Sequence, residues 1–225
     1  MENGLDANKI AFIMCTNDEL YEQECISYIE RLKLPLGFTR EILTIKGAAS
    51  MTAGYNQAMK ESQAKYKVYL HQDVFIVHRD FIEKILKLFR EPEIGMVGMV
   101  GNLKVDKGVA LWQGNRVGML HSNSLYFALS YLFGKVEGRY QEVQAVDGLL
   151  MATQYDVPWR EDIFKKWDFY DVSQCMEFRR RGYRIVVPHM EYPWCIHDDG
   201  ILNLDNYYGE REIFINEYFG GTVNG

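Results

Sequence analysis

The stretch YLHQDVFI, residues 69–76, decides how this chain is read. It begins and ends as an apolar strand, yet His71, Gln72 and Asp73 interrupt it in the middle. Three polar side chains at the mouth of a buried strand are costly unless something binds them. Working outward, KIAFIMC (9–15) is a short apolar run that predicts a buried strand. Thr16-Asn17-Asp18-Glu19 follows with a capping-box pattern, and Leu20, Tyr21, Cys25, Tyr28, Ile29 and Leu32 then recur at helical spacing up to Pro35. REILTIKG (40–47) predicts a second strand, and Ser50 caps a helix expected to run to about residue 65. The third strand is expected at about residues 67–70. RDFIEKILKLFREP (79–92) predicts a helix, and IGMVGMVG (94–101) one more buried strand.

Strand and helix thus alternate over the first hundred residues. The order predicts an α/β fold with a mostly parallel central sheet flanked by helices. Ligands on such sheets sit beyond the carboxyl ends of the strands, and Thr16-Asn17, Lys46-Gly47 and Gln72-Asp73 all lie at predicted strand ends. The second half is less regular. Residues 102–140 are glycine-rich and aromatic without a sustained period, and LYFALSYLF (125–133) reads as a buried helix, with an acceptor- or membrane-contact surface as the alternative. Strand character returns at 143–146, 149–153 and 183–188, a helix is expected at 172–181, and CIHDDG (195–200) reads as loop before a short helix near 207–218. No repeat or linker divides the chain, so one domain is expected, with a regular strand–helix half (9–101), a less regular half (102–200) and a C-terminal tail (201–225).

The 225 residues carry a net charge of −6, without the basic excess of a general nucleic-acid binder. Cys15, Cys25, Cys175 and Cys195 are far apart and form no C-x-x-C pair, which fits reduced, buried thiols in a cytoplasmic protein. The start MENGLDANK shows no signal-peptide pattern, and no apolar run is long enough to span a bilayer. Walker, G-x-G-x-x-G, G-x-S-x-G and H-E-x-x-H motifs are absent, which disfavours P-loop NTPases, dinucleotide oxidoreductases, α/β-hydrolases and zincins. Gly95, Gly98 and Gly101 lie inside an apolar run, so they read as close strand packing.

Taken singly, the polar candidates have plain readings. Asp73 is first a turn residue and second a hard ligand for Mg²⁺ or Mn²⁺. Asp171, among apolar residues in WDFYDVSQC, is an N-cap or a base with a raised pKa; Asp147 in AVDGLL is a turn residue or a second such acid. His197, beside Asp198 and Asp199, is a satisfied histidine or a metal ligand.

In order along the chain, FIMCTND, SMTAGYNQAMKESQAKYKVYLHQDV, VQAVDGLLMATQYDV, KWDFYDVSQCMEFRRRGYRIVVP and CIHDDG resemble a family 2 glycosyltransferase of the GT-A fold. More narrowly, they resemble the small bacterial group with a streptomycin-biosynthesis-type domain. The resemblance implies transfer of a sugar, with inversion, from a UDP- or GDP-linked donor to a glycan or natural-product acceptor, assisted by Mn²⁺ or Mg²⁺. It assigns the metal to Asp73 and His197, the base to Asp171 with Asp147 second, and the donor to Cys15, Thr16, Asn17, Lys46, Asn56, His71 and Gln72. The sequence departs from the pattern at His71, in place of the first Asp of D-x-D, at Lys46, where relatives carry an Asp, and at Ser173, a position often acidic. A non-catalytic relative that binds nucleotide sugar or glycan is the alternative. A nucleotidyltransferase ranks last, because no glycine-rich phosphate loop follows Cys15.

Overall fold

The computed structural model describes residues 4–107, 114–124, 128–200 and 203–220. In chain order the elements are β1 (Asp6–Thr16), α1 (Glu19–Glu30), β2 (Thr39–Lys46), α2 (Met51–Glu61), β3 (Ala64–Leu70), β4 (Val74–Ile76), α3 (Phe81–Leu88), β5 (Ile94–Gly98) and β6 (Val100–Asn102). There follow β7 (Arg116–Ser124), β8 (Ala128–Gly134), β9 (Tyr140–Val143), β10 (Ala145–Val146), β11 (Leu150–Thr153), α4 (Tyr170–Arg180), β12 (Arg184–Pro188), β13 (Cys195–Gly200) and α5 (Tyr207–Phe219).

The larger sheet runs β2-β1-β3-β11-β5-β12-β9. Strand β1 pairs in parallel with β2 and β3, and β12 in parallel with β5. Because β11 is antiparallel to both β3 and β5, these two point the same way. Five of the seven strands therefore share one direction, and only β11 and β9 oppose it. The sheet is mostly parallel, as expected from the strand–helix alternation. Its central strands read as continuous apolar runs because both faces are covered, and Ile10 to Met14 on β1 are fully buried.

A second sheet, β10-β6-β7-β13-β4 with β8 on the flank of β7, stands at the carboxyl end of the first. Two of the chain's crossings between the sheets are single-residue breaks. One is Met99, between β5 and β6; the other is Gln144, between β9 and β10. The expected single strands at 94–101 and 143–146 are therefore each two short ones. A Cβ at Gly98 would lie 2.4 Å from Val146 Cβ, so this residue is glycine because the two chain crossings meet there.

Asp18, not Thr16, caps α1, its Oδ1 accepting from Leu20 N and Tyr21 N. Helix α2 does begin after Ser50, whose Oγ accepts from Ala53 N, but it stops at Glu61. The run 125–133 is no buried helix where it is described. Residues 125–127 lie outside the described set, and β8 is a strand whose Leu129 and Leu132 are exposed. CIHDDG is a strand, β13, held between β4 and β7. Among the described residues no helix is long and apolar enough to cross a membrane.

Candidate functional site

The turn after β3 sets the site. Val74 N donates to His71 O at 3.3 Å and His71 N to Leu149 O at 3.1 Å, which fixes His71, Gln72 and Asp73 in a tight bend leading into β4. Strand β13 lies antiparallel to β4 with His197 opposite Val74, and Asp198 N donates to Asp73 O at 2.9 Å. Sheet pairing alone therefore carries His197 to the bend, across a sequence gap of more than a hundred residues.

His71, Asp73 and His197 present one ligand atom each within 4.8 Å of one another. Asp73 Oδ1 is 3.8 Å from His71 Nδ1 and 3.6 Å from His197 Nε2, too far for hydrogen bonds. That oxygen is buried and accepts no hydrogen bond from the described residues. A buried carboxylate oxygen facing two imidazoles without a donor fits a divalent cation between them. Burial lowers the His71 pKa below its ordinary value against the pull of the Asp73 charge, and the neutral ring it favours is the form that ligates metal. The other ring nitrogen of His71, Nε2, shares a short hydrogen bond with the Tyr170 hydroxyl.

Tyr170 and Asp171 open α4. The residue before them, Phe169, has φ +56°, a left-handed conformation rare for a bulky side chain. Its ring packs against Tyr207 at 5.0 Å and Phe214 at 5.5 Å, contacts that hold the strained backbone in place. Asp171 is not the N-cap; it sits inside the first turn, Oδ1 accepting from Val172 N at 2.8 Å and Oδ2 from Gly148 N at 3.0 Å. Burial, reinforced by the charge of Asp147, pushes its carboxyl up to about 7. Asp147 is the turn residue it resembled, accepting from Leu149 N at 3.1 Å, and it also lines the cleft.

The cleft has a volume of about 600 Å³, a usual size for a small-molecule site. His71, Asp73, Asp147, Asp171 and His197 all line it. So do residues that sequence reasoning did not single out: Arg116 and Tyr131 on the β7–β8 hairpin, Trp167 and Asp168 before α4, and Tyr207 on α5. Burial raises the Asp168 carboxyl as well. Its one legible signal is the acid pair three residues apart at the start of a helix.

The remaining donor candidates divide in two. Thr16, Asn17, Lys46 and Gln72 form a bonded rim at the ends of β1, β2 and β3. Gln72 Oε1 accepts from Asn17 N at 3.0 Å and Asp18 N at 3.1 Å, while Glu22 Oε2 takes the Thr16 hydroxyl at 3.0 Å and lies 3.1 Å from Lys46 Nζ. Cys15 and Asn56 lie inside the protein. Burial pushes the Cys15 thiol up to about 12, and its Sγ occupies the space where a Cβ on Gly54 would stand. Asn56 is 4% exposed, and both ends of its carboxamide bond the Trp159 backbone at 2.9 Å.

A family model described as a glycosyltransferase-like family matches residues 11–218. No curated protein matches. Among solved structures, the S. aureus TarS fragment 1–349 is similar at a TM-score of 0.57 and 10% identity, over 95% of this chain and 72% of that one. A mannosyltransferase from Pyrobaculum calidifontis, in complex with GDP-Man and Mn²⁺, is similar at 0.58 and 12%, over 98% of this chain and 66% of that one. TarS 1–349 with UDP-GlcNAc is similar at 0.55 and 11%, over 87% of this chain and 59% of that one. At such identities the likeness shows the fold, the GT-A arrangement. This chain spans only part of each.

Proposed function

The chain belongs to the glycosyltransferase-like family, and from that premise we propose that it moves a sugar from a nucleoside-diphosphate sugar to a hydroxyl of a glycan or natural-product acceptor. The observation that carries this is one cleft holding both the His71–Asp73–His197 cluster and the raised carboxyl of Asp171. A divalent cation held by the three ligands would neutralise charge on the departing diphosphate. Two imidazole nitrogens tilt that ligand set toward Mn²⁺ over Mg²⁺, which prefers oxygen donors.

Asp171 is the base. The acceptor oxygen attacks the anomeric carbon on the face opposite the nucleotide, and its proton passes to the Asp171 carboxylate. The bond from that carbon to the phosphate oxygen breaks, and its electron pair leaves with the nucleoside diphosphate, so the configuration inverts. A carboxyl poised near 7 takes that proton efficiently at neutral pH. The backbone N–H groups of Gly148 and Val172 fix its orientation.

The rim of Thr16, Asn17, Lys46 and Gln72 at the strand ends is where the nucleotide rests. UDP- and GDP-linked donors are both open, since solved structures of this fold hold UDP-GlcNAc and GDP-Man. Residues 9–101 then serve the donor and 102–200 the acceptor, within one domain. Four buried, unpaired thiols suit a reducing, cytoplasmic compartment.

The test is release of UDP or GDP from a panel of nucleotide sugars with Mn²⁺, followed by chromatography. Slow donor hydrolysis by the wild type, lost in Asp171→Asn, is expected. Nucleotide binding without release from any donor would instead establish the non-catalytic relative.

A further inference from the structure

The end of the cleft away from the cluster holds a cation whose role the transfer chemistry does not use. Arg116, at the start of β7, lines the cleft and stacks on Phe133, its guanidinium carbon 4.0 Å from the ring centroid. Among the described residues it makes no ion pair and donates no side-chain hydrogen bond, and it is the only Lys or Arg lining the cleft. Tyr131 continues the surface, its ring parallel to Phe133 at 5.5 Å. A half-buried guanidinium covered on one face and unpaired at its edge is suited to a planar or tetrahedral anion. Burial lowers the Arg116 pKa despite the nearby Asp147 charge, which agrees with a cation short of compensation.

The donor's diphosphate is not that anion. Register places His197 opposite Ser122, six residues beyond Arg116 on β7. At about 3.3 Å per residue this is roughly 15–20 Å along a kinked strand, farther than an arginine side chain extends. The charge of Asp147 acts on both Arg116 and His71.

Resting on the transfer reading above, we propose that Arg116 reads an anionic group on the acceptor, so that the acceptor is an acidic glycan bearing a carboxylate or a phosphate. Phe133 and Tyr131 offer the flat apolar surface against which the acidic residue lies.

Calorimetric titration with methyl glucuronide, glucose 6-phosphate and neutral methyl glucoside tests this, on the wild type, Arg116→Gln and Arg116→Lys. At least one acidic probe should bind about tenfold or more tightly than the neutral one. Arg116→Gln should abolish that preference, and Arg116→Lys, keeping the charge but not the fork, should retain part of it. Whichever acidic probe wins identifies the group as carboxylate or phosphate. Equal binding of all three, no binding of either acidic probe, or a preference that survives Arg116→Gln overturns the inference. Parallel titration with UDP and GDP in Mn²⁺ reports separately on the transfer reading.

Discussion

The Tyr170 hydroxyl is hydrogen-bonded to Nε2 of His71, and this one contact joins the helix that carries Asp171 to the cluster that contains Asp73. With Nε2 so engaged, Nδ1 is the nitrogen turned toward Asp73. A metal-ligating histidine needs such a partner to fix its ring and tautomer. Tyr170→Phe should weaken Mn²⁺ binding by about tenfold or more, read by electron paramagnetic resonance of free Mn²⁺. The ring itself stays packed against Tyr55 and Trp159, so the thermal midpoint should move little. Unchanged Mn²⁺ affinity would remove Tyr170 from this role.

The raised carboxyl of Asp171 fixes two pH dependences of opposite sense. Turnover needs the carboxylate, so kcat should fall with an acidic limb near pH 7. Stability runs the other way. A folded pKa of about 7 against an ordinary 3.8 means that the protein prefers the protonated acid, so stability from this group is full below about pH 4 and is lost as pH rises through 7. Asp171→Asn should flatten that loss between pH 4 and 7 in denaturant titrations while abolishing turnover. A wild-type kcat that is flat down to pH 5 would contradict the assignment of Asp171 as base.

Gly148 has no room for a side chain. A Cβ there would stand 2.2 Å from the Tyr170 hydroxyl and 2.9 Å from Asp171 Cβ. Gly148→Ala should therefore displace both residues at once, costing about 1–3 kcal/mol in stability and lowering turnover more than it raises KM. Steady-state kinetics beside urea unfolding would separate the two effects.

Away from the site, Lys67 on β3 is wholly buried, its Nζ 2.7 Å from Asp156 Oδ1 and from Ala64 O. Removing its only carboxylate partner among the described residues strands a charge in the core. Asp156→Ala should cost about 3–5 kcal/mol, whereas Lys67→Met with Asp156→Asn should cost far less. Urea unfolding of the two variants checks the contrast.

Much of the larger sheet was legible in the sequence, because strands covered on both faces appear as unbroken apolar runs, as in 9–15 and 94–98. Asp73 stood out for the same reason, a polar break where such a run should end. The second sheet was not legible. Strand β13 carries His197, Asp198 and Asp199 in a row, with Asp198 tied to Tyr21 and Asn123 and Asp199 to Ser122, so its residues read as loop. Strand β8 is exposed or half-buried along its length, and the buried positions of β7 include Gly118 and Ser122, so neither strand shows a clean apolar period. Phe169 in the left-handed region has no sequence signal, because its backbone is set by packing against α5. The family pattern assigns His71 to the donor; the ring's position beside Asp73 follows from the turn that the pattern does not describe. Asn56, assigned likewise, is absorbed by the Trp159 backbone.

The transfer reaction proposed above depends on metal-dependent nucleotide binding at Asp73. Calorimetric titration with UDP and with GDP, each in Mn²⁺ and in EDTA, on the wild type and on Asp73→Ala, tests it most directly. Binding of one nucleotide that requires Mn²⁺ and disappears in Asp73→Ala is the predicted result. Binding that is equal in Mn²⁺ and EDTA, or that survives the substitution, would contradict it.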